Sequence, residues 1–363
     1  MPSLLRSPAR RALLALAAVL ACLAVVPHAR AAQPAMVKGL QDTKLTLSDD
    51  PQDRARFWTH AKRAKVGRVR LLVSWDGVQR TIAPDVAARI LRAADDAKAH
   101  DAKLIVGIYA AINRKRAVPR RINATLISRF SDFTASMGKA FRPIRLAGYL
   151  TWNEPNFKSM WPQNQPRTWV TMSNAAYRSF KRTDPGAKVY VGEPAPNART
   201  TNAVNPGSFF RKALCLNASY RSLNRTKSCR TKLLADGFAI HTHDFFLSPV
   251  ARRYPSDAWT MGNLKGTMRQ IRALARAGRI TAKASRNVHI TEFAYRTHGS
   301  ARTPDAQAAR WLRLAWNYAK REHVRSFTWY QLQDPGPAEE WRSGMLTAGG
   351  KELRTWKTFR SLR

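Results

Sequence analysis

The chain has 363 residues, 44% of them hydrophobic, with 63 Lys+Arg against 23 Asp+Glu and a formal net charge of +40. Such a charge raises a nucleic-acid partner, but the basic residues are scattered along the whole length instead of forming one stripe. That distribution argues against nucleic acid and for a generally cationic surface, suited to anionic cell-envelope polymers or acidic polysaccharides.

The first element is a leader. Arg6, Arg10 and Arg11 precede an apolar run from Ala12 to Val26, and Ala29-Arg30-Ala31 closes the stretch. A basic start, an apolar middle and an A-x-A site predict a secretory signal peptide over residues 1–32. The run falls short of the roughly 20 residues a spanning helix needs, so stable membrane insertion is not expected. Export would also remove the protein from cytoplasmic nucleic acid.

Residues 33–363 hold no second apolar segment. Short apolar runs recur there instead: MVKGL (36–40), VRLLVSW (69–75), KLIVGIYA (103–110), LAGYLTW (146–152), KVYVGE (188–193), GFAIHTH (237–243), NVHITEF (287–293) and SFTWYQL (326–332). None alternates cleanly, the pattern of strands buried on both faces. Between them lie helical stripes: Trp169, Met172, Ala176 and Phe180; Leu264, Met268, Ile271 and Ala275; Trp311, Ala315 and Tyr318. Eight strands alternating with helices predict an α/β chain folded as one (β/α)8 TIM barrel over 33–363. An open doubly wound sheet would want a glycine-rich loop after the first strand, and Leu40-Gln41-Asp42-Thr43 is not one.

In a barrel the C-terminal strand ends share one mouth. Strand two carries Arg70, strand four ends in Asn153-Glu154-Pro155-Asn156, strand five in Glu193, strand six in His241, His243 and Asp244, strand seven in Glu292, and strand eight in Trp329 and Gln331. Two carboxylates in one mouth suit glycosidic-bond cleavage, one protonated to donate to the leaving oxygen and one ionised to attack. Glu154 and Glu292 form that pair. Asn153 is placed to bond a sugar hydroxyl, and Arg70 to hold Glu292 ionised. Glu193 lacks the preceding Asn and reads as a structural or substrate-contact residue.

TWNEPN on strand four and ITEF on strand seven resemble the large group of retaining glycoside hydrolases built on (β/α)8 barrels. WNEPN is most similar to glycoside hydrolase family 39 and family 5-like enzymes, with the resemblance running from about residue 36 to 360. It implies a glycosidase with no cofactor, Glu154 as acid/base and Glu292 as nucleophile. It further implies Asn153 as partner of the sugar 2-hydroxyl, Arg70 as support for the nucleophile, and Trp329 as the aromatic beneath the sugar. His241-Thr242-His243 departs from the group's His-x-Tyr, so His243 stands where a Tyr would contact the nucleophile.

His-x-His-Asp is also a metal-ligand spacing, but metal-dependent barrels place a His pair on strand one, which here ends in Gln41-Asp42. No metal site is expected, and the alternatives to a glycosidase are a non-catalytic TIM-barrel protein that binds cell-envelope polysaccharide and a metal-dependent barrel hydrolase. Trp75, Trp161, Tyr254, Trp259, Tyr295 and Trp341 fall near post-strand loops, where together they suggest a groove for an oligo- or polysaccharide. Cys215 and Cys229, in an exported chain, predict a disulfide closing a short loop.

Overall fold

The computed structural model describes residues 35–110, 122–198, 202–223, 227–244, 247–337 and 341–363; the expected signal peptide lies outside them. Eight strands, β1 (Val37–Gln41), β2 (Arg68–Trp75), β3 (Lys103–Ala110), β4 (Gly148–Leu150), β5 (Val189–Gly192), β6 (Gly237–His241), β7 (Val288–Phe293) and β8 (Ser326–Tyr330), close in sequential order into one parallel barrel. Residues Met36–Arg363 form a single unit, the (β/α)8 barrel expected from the strand pattern.

Successive strand side chains point to opposite faces, so each strand serves two cores. The outward row joins the helices in a continuous layer that includes Val69, Leu71, Val106, Ile240, Ile290 and Phe327. Inward, a small separate cluster of Ile105, Leu150, Tyr190 and Ala239 plugs the barrel axis. Below that plug the interior turns polar, where Arg68 meets His289 Nδ1 at 2.9 Å and donates to Ser326 Oγ at 3.2 Å. Both rows are therefore buried, which is why period-two alternation is absent from the sequence.

Helix starts follow local chemistry. Pro51 opens the Pro51–Arg63 helix while the Asp50 side chain accepts from the Gln52 N–H at 2.8 Å, and the Asn123 side chain does the same for Leu126 at 2.9 Å. In the Pro166–Thr183 helix the expected stripe of Trp169, Met172, Ala176 and Phe180 is buried throughout. In the Asp305–Arg321 helix Ala315 and Tyr318 are buried as expected, but Trp311 is only partly buried, and Leu312, Trp316 and Ala319 complete the buried face. Trp316 fixes that face by packing edge-on against Phe327 and donating to the Arg363 carbonyl at 3.0 Å.

The disulfide is present: Cys215 and Cys229, both buried, are bonded with their Cα atoms 5.4 Å apart. Among the described residues no helix is long and apolar enough to cross a membrane.

Candidate active site

The mouth is organised by two similar corners. β4 and β5 stop short of the apolar runs that predict them, because Glu154 (φ 48°) and Glu193 (φ 49°) adopt left-handed backbone, each followed by Pro. A non-glycine residue in that region costs on the order of 1 kcal/mol, a strain that folded proteins tend to keep at functional sites. The corners are tied together. The Glu154 N–H donates to the Glu193 carbonyl at 2.9 Å, and the Glu193 N–H donates to the Ala239 carbonyl at 2.8 Å. Gly192 has φ 115°, and a Cβ there would lie 2.4 Å from the Ala239 carbonyl oxygen, so only glycine allows the second corner to close.

Asn156 locks the pair from behind. Fully buried, it donates to the carbonyls of Ala195 and Val204 at 2.8 and 2.7 Å and accepts from the Ala195 N–H at 2.7 Å. Its side chain braces the loop after β5.

Arg70 is the centre of the constellation. It is wholly buried on β2, and its guanidinium reaches four acceptors: Glu193 Oε1 from Nε at 2.9 Å, Asn153 Oδ1 from Nη2 at 2.9 Å, Glu292 Oε1 from Nη1 at 2.5 Å, and Gln41 Oε1 from the same nitrogen. A planar fork can satisfy such a set where an ammonium cannot. With its oxygen committed to Arg70, Asn153 has its NH2 donor left to present.

His241 is the second cation. Its Nδ1 lies 3.0 Å from Glu154 Oε1 and 3.6 Å from Glu292 Oε2, while its Nε2 lies 3.6 Å from Glu193 Oε1. Burial disfavours its charge, but Glu292, Glu154 and Glu193 overcome burial and push it up to about 9. His243 behaves oppositely: burial, with the His241 charge beside it, takes it down to about 3. It is therefore neutral at pH 7, with its ring 6.0 Å from His241 and 5.6 Å from Trp341. Glu193 is opposed by burial, yet Arg70 and His241 hold its carboxyl below the usual carboxylate range.

These shifts set the pH dependence of stability. His241 is raised above its unfolded value of 6.5, so its contribution is complete below pH 6.5 and lost as pH rises through 9. His243 and His289 are depressed; below pH 6.5 the unfolded chain takes up protons that the native state refuses, so stability falls with pH. The melting temperature, followed by differential scanning fluorimetry, is expected to peak near pH 6.5 and to fall toward pH 5 and toward pH 8, above which the buried Lys38 ammonium, lowered to about 8, opposes the His241 loss. The alkaline decline from His241 amounts to on the order of 3 kcal/mol.

Exposure separates the three carboxylates. The side chains of Glu154 and Glu292 are 19% and 13% exposed, whereas Glu193 is 1% exposed and cannot meet a substrate. One donor atom from each of Glu154, His241 and Glu292 lies within 4.8 Å of the other two, a spacing that would admit a cation. Two features oppose one. Glu292 already accepts from Arg70, and a metal would have to displace the proton on His241 while facing the Arg70 charge. No metal is assigned.

The structure thus gathers Glu154, Glu292, Asn153, Arg70 and His241 into one hydrogen-bonded cluster, with His243 at its edge. Trp329 stays outside it. It is 1% exposed, packs edge-on against Phe293 and donates its indole N–H to the Ser343 carbonyl at 3.1 Å, leaving no open face for a sugar. Strand parity gives the reason. Gly39 lies opposite Thr328 and Gln41 opposite Tyr330, and Gln41 turns inward to Arg70. Tyr330 therefore shares the inward face with Ser326 and Thr328, while Trp329 and Phe327 face the helices. The strand-eight aromatic at the mouth is the half-buried Tyr330, whose peptide bond to Gln331 is cis and whose ring lies 6.4 Å from Trp341. Of the loop aromatics, Trp75, Trp161, Trp259 and Tyr295 are core residues, and only Tyr254 and Trp341 keep partial exposure.

No family model matches this chain, and no curated protein matches it. Solved structures do. A family 39 glycoside hydrolase from Bacteroides cellulosilyticus superposes with a TM-score of 0.64 at 15% identity, over 91% of this chain and 65% of that one. An exo-β-1,4-mannosidase from an Opitutaceae bacterium gives 0.61 at 10% identity over 92% and 60%, and a monomeric β-xylosidase from Caulobacter crescentus gives 0.57 at 15% over 91% and 68%. This chain spans less than two thirds of the length of the first two. At such identities the likeness shows a shared fold, the barrel that the strand-four and strand-seven motifs imply.

Proposed function

We propose that the chain is an exported retaining glycoside hydrolase, with Glu292 as nucleophile and Glu154 as acid/base. The observation that supports this most is the pair itself: two partly exposed carboxylates on β7 and just past β4, with oxygens within 4.8 Å of each other. Inverting enzymes hold their carboxyls roughly 6.5–9.5 Å apart to admit a water, and retaining enzymes about 5–5.5 Å apart. Glycosidase neighbours with the same fold add support.

In the first step a Glu292 oxygen bonds to the anomeric carbon as the glycosidic C–O bond breaks, and Glu154 gives its proton to the leaving oxygen. In the second, Glu154 takes a proton from water, whose oxygen displaces Glu292 and releases the sugar. Arg70 aims the attacking carboxylate. The Asn153 NH2 meets the sugar 2-hydroxyl, Tyr330 lies under the ring, and neutral His243 offers a further hydrogen-bonding edge. The residues supply every proton and electron pair in this sequence, so the reading needs no cofactor.

A panel of aryl glycosides and polysaccharides, followed by proton NMR of the first anomer released, tests the reading. Retained configuration is expected; an inverted first product contradicts it. On the best substrate, Tyr330→Ala is expected to lower kcat/KM about tenfold through loss of stacking, whereas Trp329→Phe lowers stability and leaves KM unchanged.

The net charge of +40 supports ionic attachment to anionic envelope polymers, and the leader in residues 1–32 supports export to meet them. Binding to an acidic polysaccharide that is lost by about 0.5 M salt would fit this part of the reading; salt-insensitive binding would not.

A further inference from the structure

We propose that Glu193 is the positioning residue for both carboxylates of the mouth, seating Glu154 through its backbone and aiming Glu292 and Glu154 through Arg70 and His241. The proposal rests on the glycosidase reading for its consequences in catalysis, but its geometry stands apart from it.

Three contacts make the case. The Glu193 carbonyl accepts the Glu154 N–H at 2.9 Å and so fixes the corner from which the Glu154 side chain departs. Glu193 Oε1 lies 2.9 Å from Arg70 Nε and 2.8 Å from Arg70 Nη2, leaving Nη1 to face Glu292. The same oxygen lies 3.6 Å from His241 Nε2, on the far side of the ring from the nitrogen that meets Glu154. One buried oxygen therefore faces both cations; Arg70 reaches Glu292, and His241 reaches Glu154 at 3.0 Å and Glu292 at 3.6 Å. At 1% exposure Glu193 touches no substrate, so it acts only through these neighbours.

Charge balance gives the arrangement a second purpose. The charged or titratable groups that face one another here are Arg70 from β2, Glu154 beyond β4, Glu193 beyond β5, His241 on β6 with His243 just past it, and Glu292 from β7. With Arg70 and His241 positive and Glu193 and Glu292 negative, the cluster is neutral when Glu154 carries a proton. That is the state an acid catalyst needs on entering the first step. Without Glu193 the two cations face one anion, and the cluster sheds a proton at lower pH. The buried third carboxylate thus offsets one of the two cations and helps His241 stay charged.

The test uses Glu193→Gln, which keeps shape and removes charge, and Glu193→Asp, which keeps charge and shortens the arm. On a glycoside that the wild type cleaves, Glu193→Gln is expected to lower kcat by about 10- to 100-fold with KM nearly unchanged. It is also expected to move the alkaline limb of kcat/KM to lower pH by about one unit. Glu193→Asp should return the limb toward its wild-type position while kcat recovers only in part. A Glu193→Gln protein that melts lower but shows the wild-type pH profile would make the residue merely structural and overturn the proposal.

Nitrogen-15 NMR of His241 covers the remaining cases. Wild-type His241 should be imidazolium at pH 7, and should lose its proton at lower pH in Glu193→Gln; a neutral wild-type ring at pH 7 overturns the proposal even if that variant does not fold. Should the wild type cleave no glycoside, the glycosidase reading fails by itself, while the His241 titration still decides the coupling to Glu193.

Discussion

Glu292→Ala is expected to abolish glycoside cleavage, lowering kcat by on the order of 10⁵-fold, with the melting temperature changed by only a few degrees. Removing a nucleophile that splits one difficult displacement into two easier ones forfeits most of the catalysed rate, leaving what binding and positioning supply. The fold should tolerate the change because Glu292 is 13% exposed and Arg70 keeps Glu193, Gln41 and Asn153 as partners. The truncated side chain leaves space beside the anomeric carbon, so millimolar azide should restore part of the rate on an activated aryl glycoside. The product would be the glycosyl azide of inverted configuration, formed by one displacement instead of two. A Glu292→Ala protein with more than about a tenth of wild-type activity would remove Glu292 from the chemistry, since a catalytic nucleophile never costs so little.

Arg70→Leu has the largest expected effect on stability. It leaves Glu193 and Glu292 without their shared cation in a site where Glu193 is 1% exposed. Breaking a buried pair by deleting one member costs about 3–5 kcal/mol, because the survivor stays buried and uncompensated. Urea unfolding at pH 7 should show that loss, together with near-complete loss of activity. The sign of its pH dependence follows from Glu193, whose carboxyl lies below its unfolded value of 4.5 in the native state. Its stabilisation is complete above pH 4.5 and fades as pH falls through the native value, so the penalty of Arg70→Leu should shrink in acid. A penalty that is constant from pH 7 to pH 3 would show that packing, not charge, sets the cost. Arg70→Lys tests the fork: a point charge cannot reach four acceptors, so stability should return further than activity.

The barrel was legible because eight buried strands leave eight apolar runs, and a strand needs little more to be recognised. The pair Glu154 and Glu292 was legible for a related reason, since a carboxylate is conspicuous at the end of a run that is otherwise apolar. What the runs conceal is parity. Trp329 and Tyr330 are adjacent aromatics in a strand buried on both faces, and hydrophobicity cannot tell which turns inward. The signal that was available is the small polar pair Ser326 and Thr328, which marks the inward row and makes Tyr330 its next member.

Glu193 read as structural or substrate-contact, and the sequence could not choose between the two for another reason. GEPAPN and NEPN look like two versions of one corner, and in the backbone they are, with matching left-handed Glu residues. Only exposure distinguishes the catalyst candidate from the buried brace, and exposure depends on chain segments distant in sequence. His241 carried the same limitation. A histidine at a strand end announces itself, but its position between three carboxylates arises from β4, β5 and β7 together. The loop aromatics show the converse: long loops in a large barrel build their own core, which takes up Trp161, Trp259 and Tyr295.

The central claim is double displacement through Glu292, and covalent trapping tests it most directly. The wild-type protein would be incubated with 2-deoxy-2-fluoro glycosides bearing a good leaving group, matched to the sugar it cleaves best. The fluorine slows both steps and the leaving group restores only the first, so the glycosyl-enzyme accumulates. Intact mass spectrometry should then show one added fluorosugar per chain, and peptide mapping should place it on Glu292. An adduct on Glu154 or Glu193, or full turnover of the natural glycoside with no adduct and an inverted product, would contradict the account.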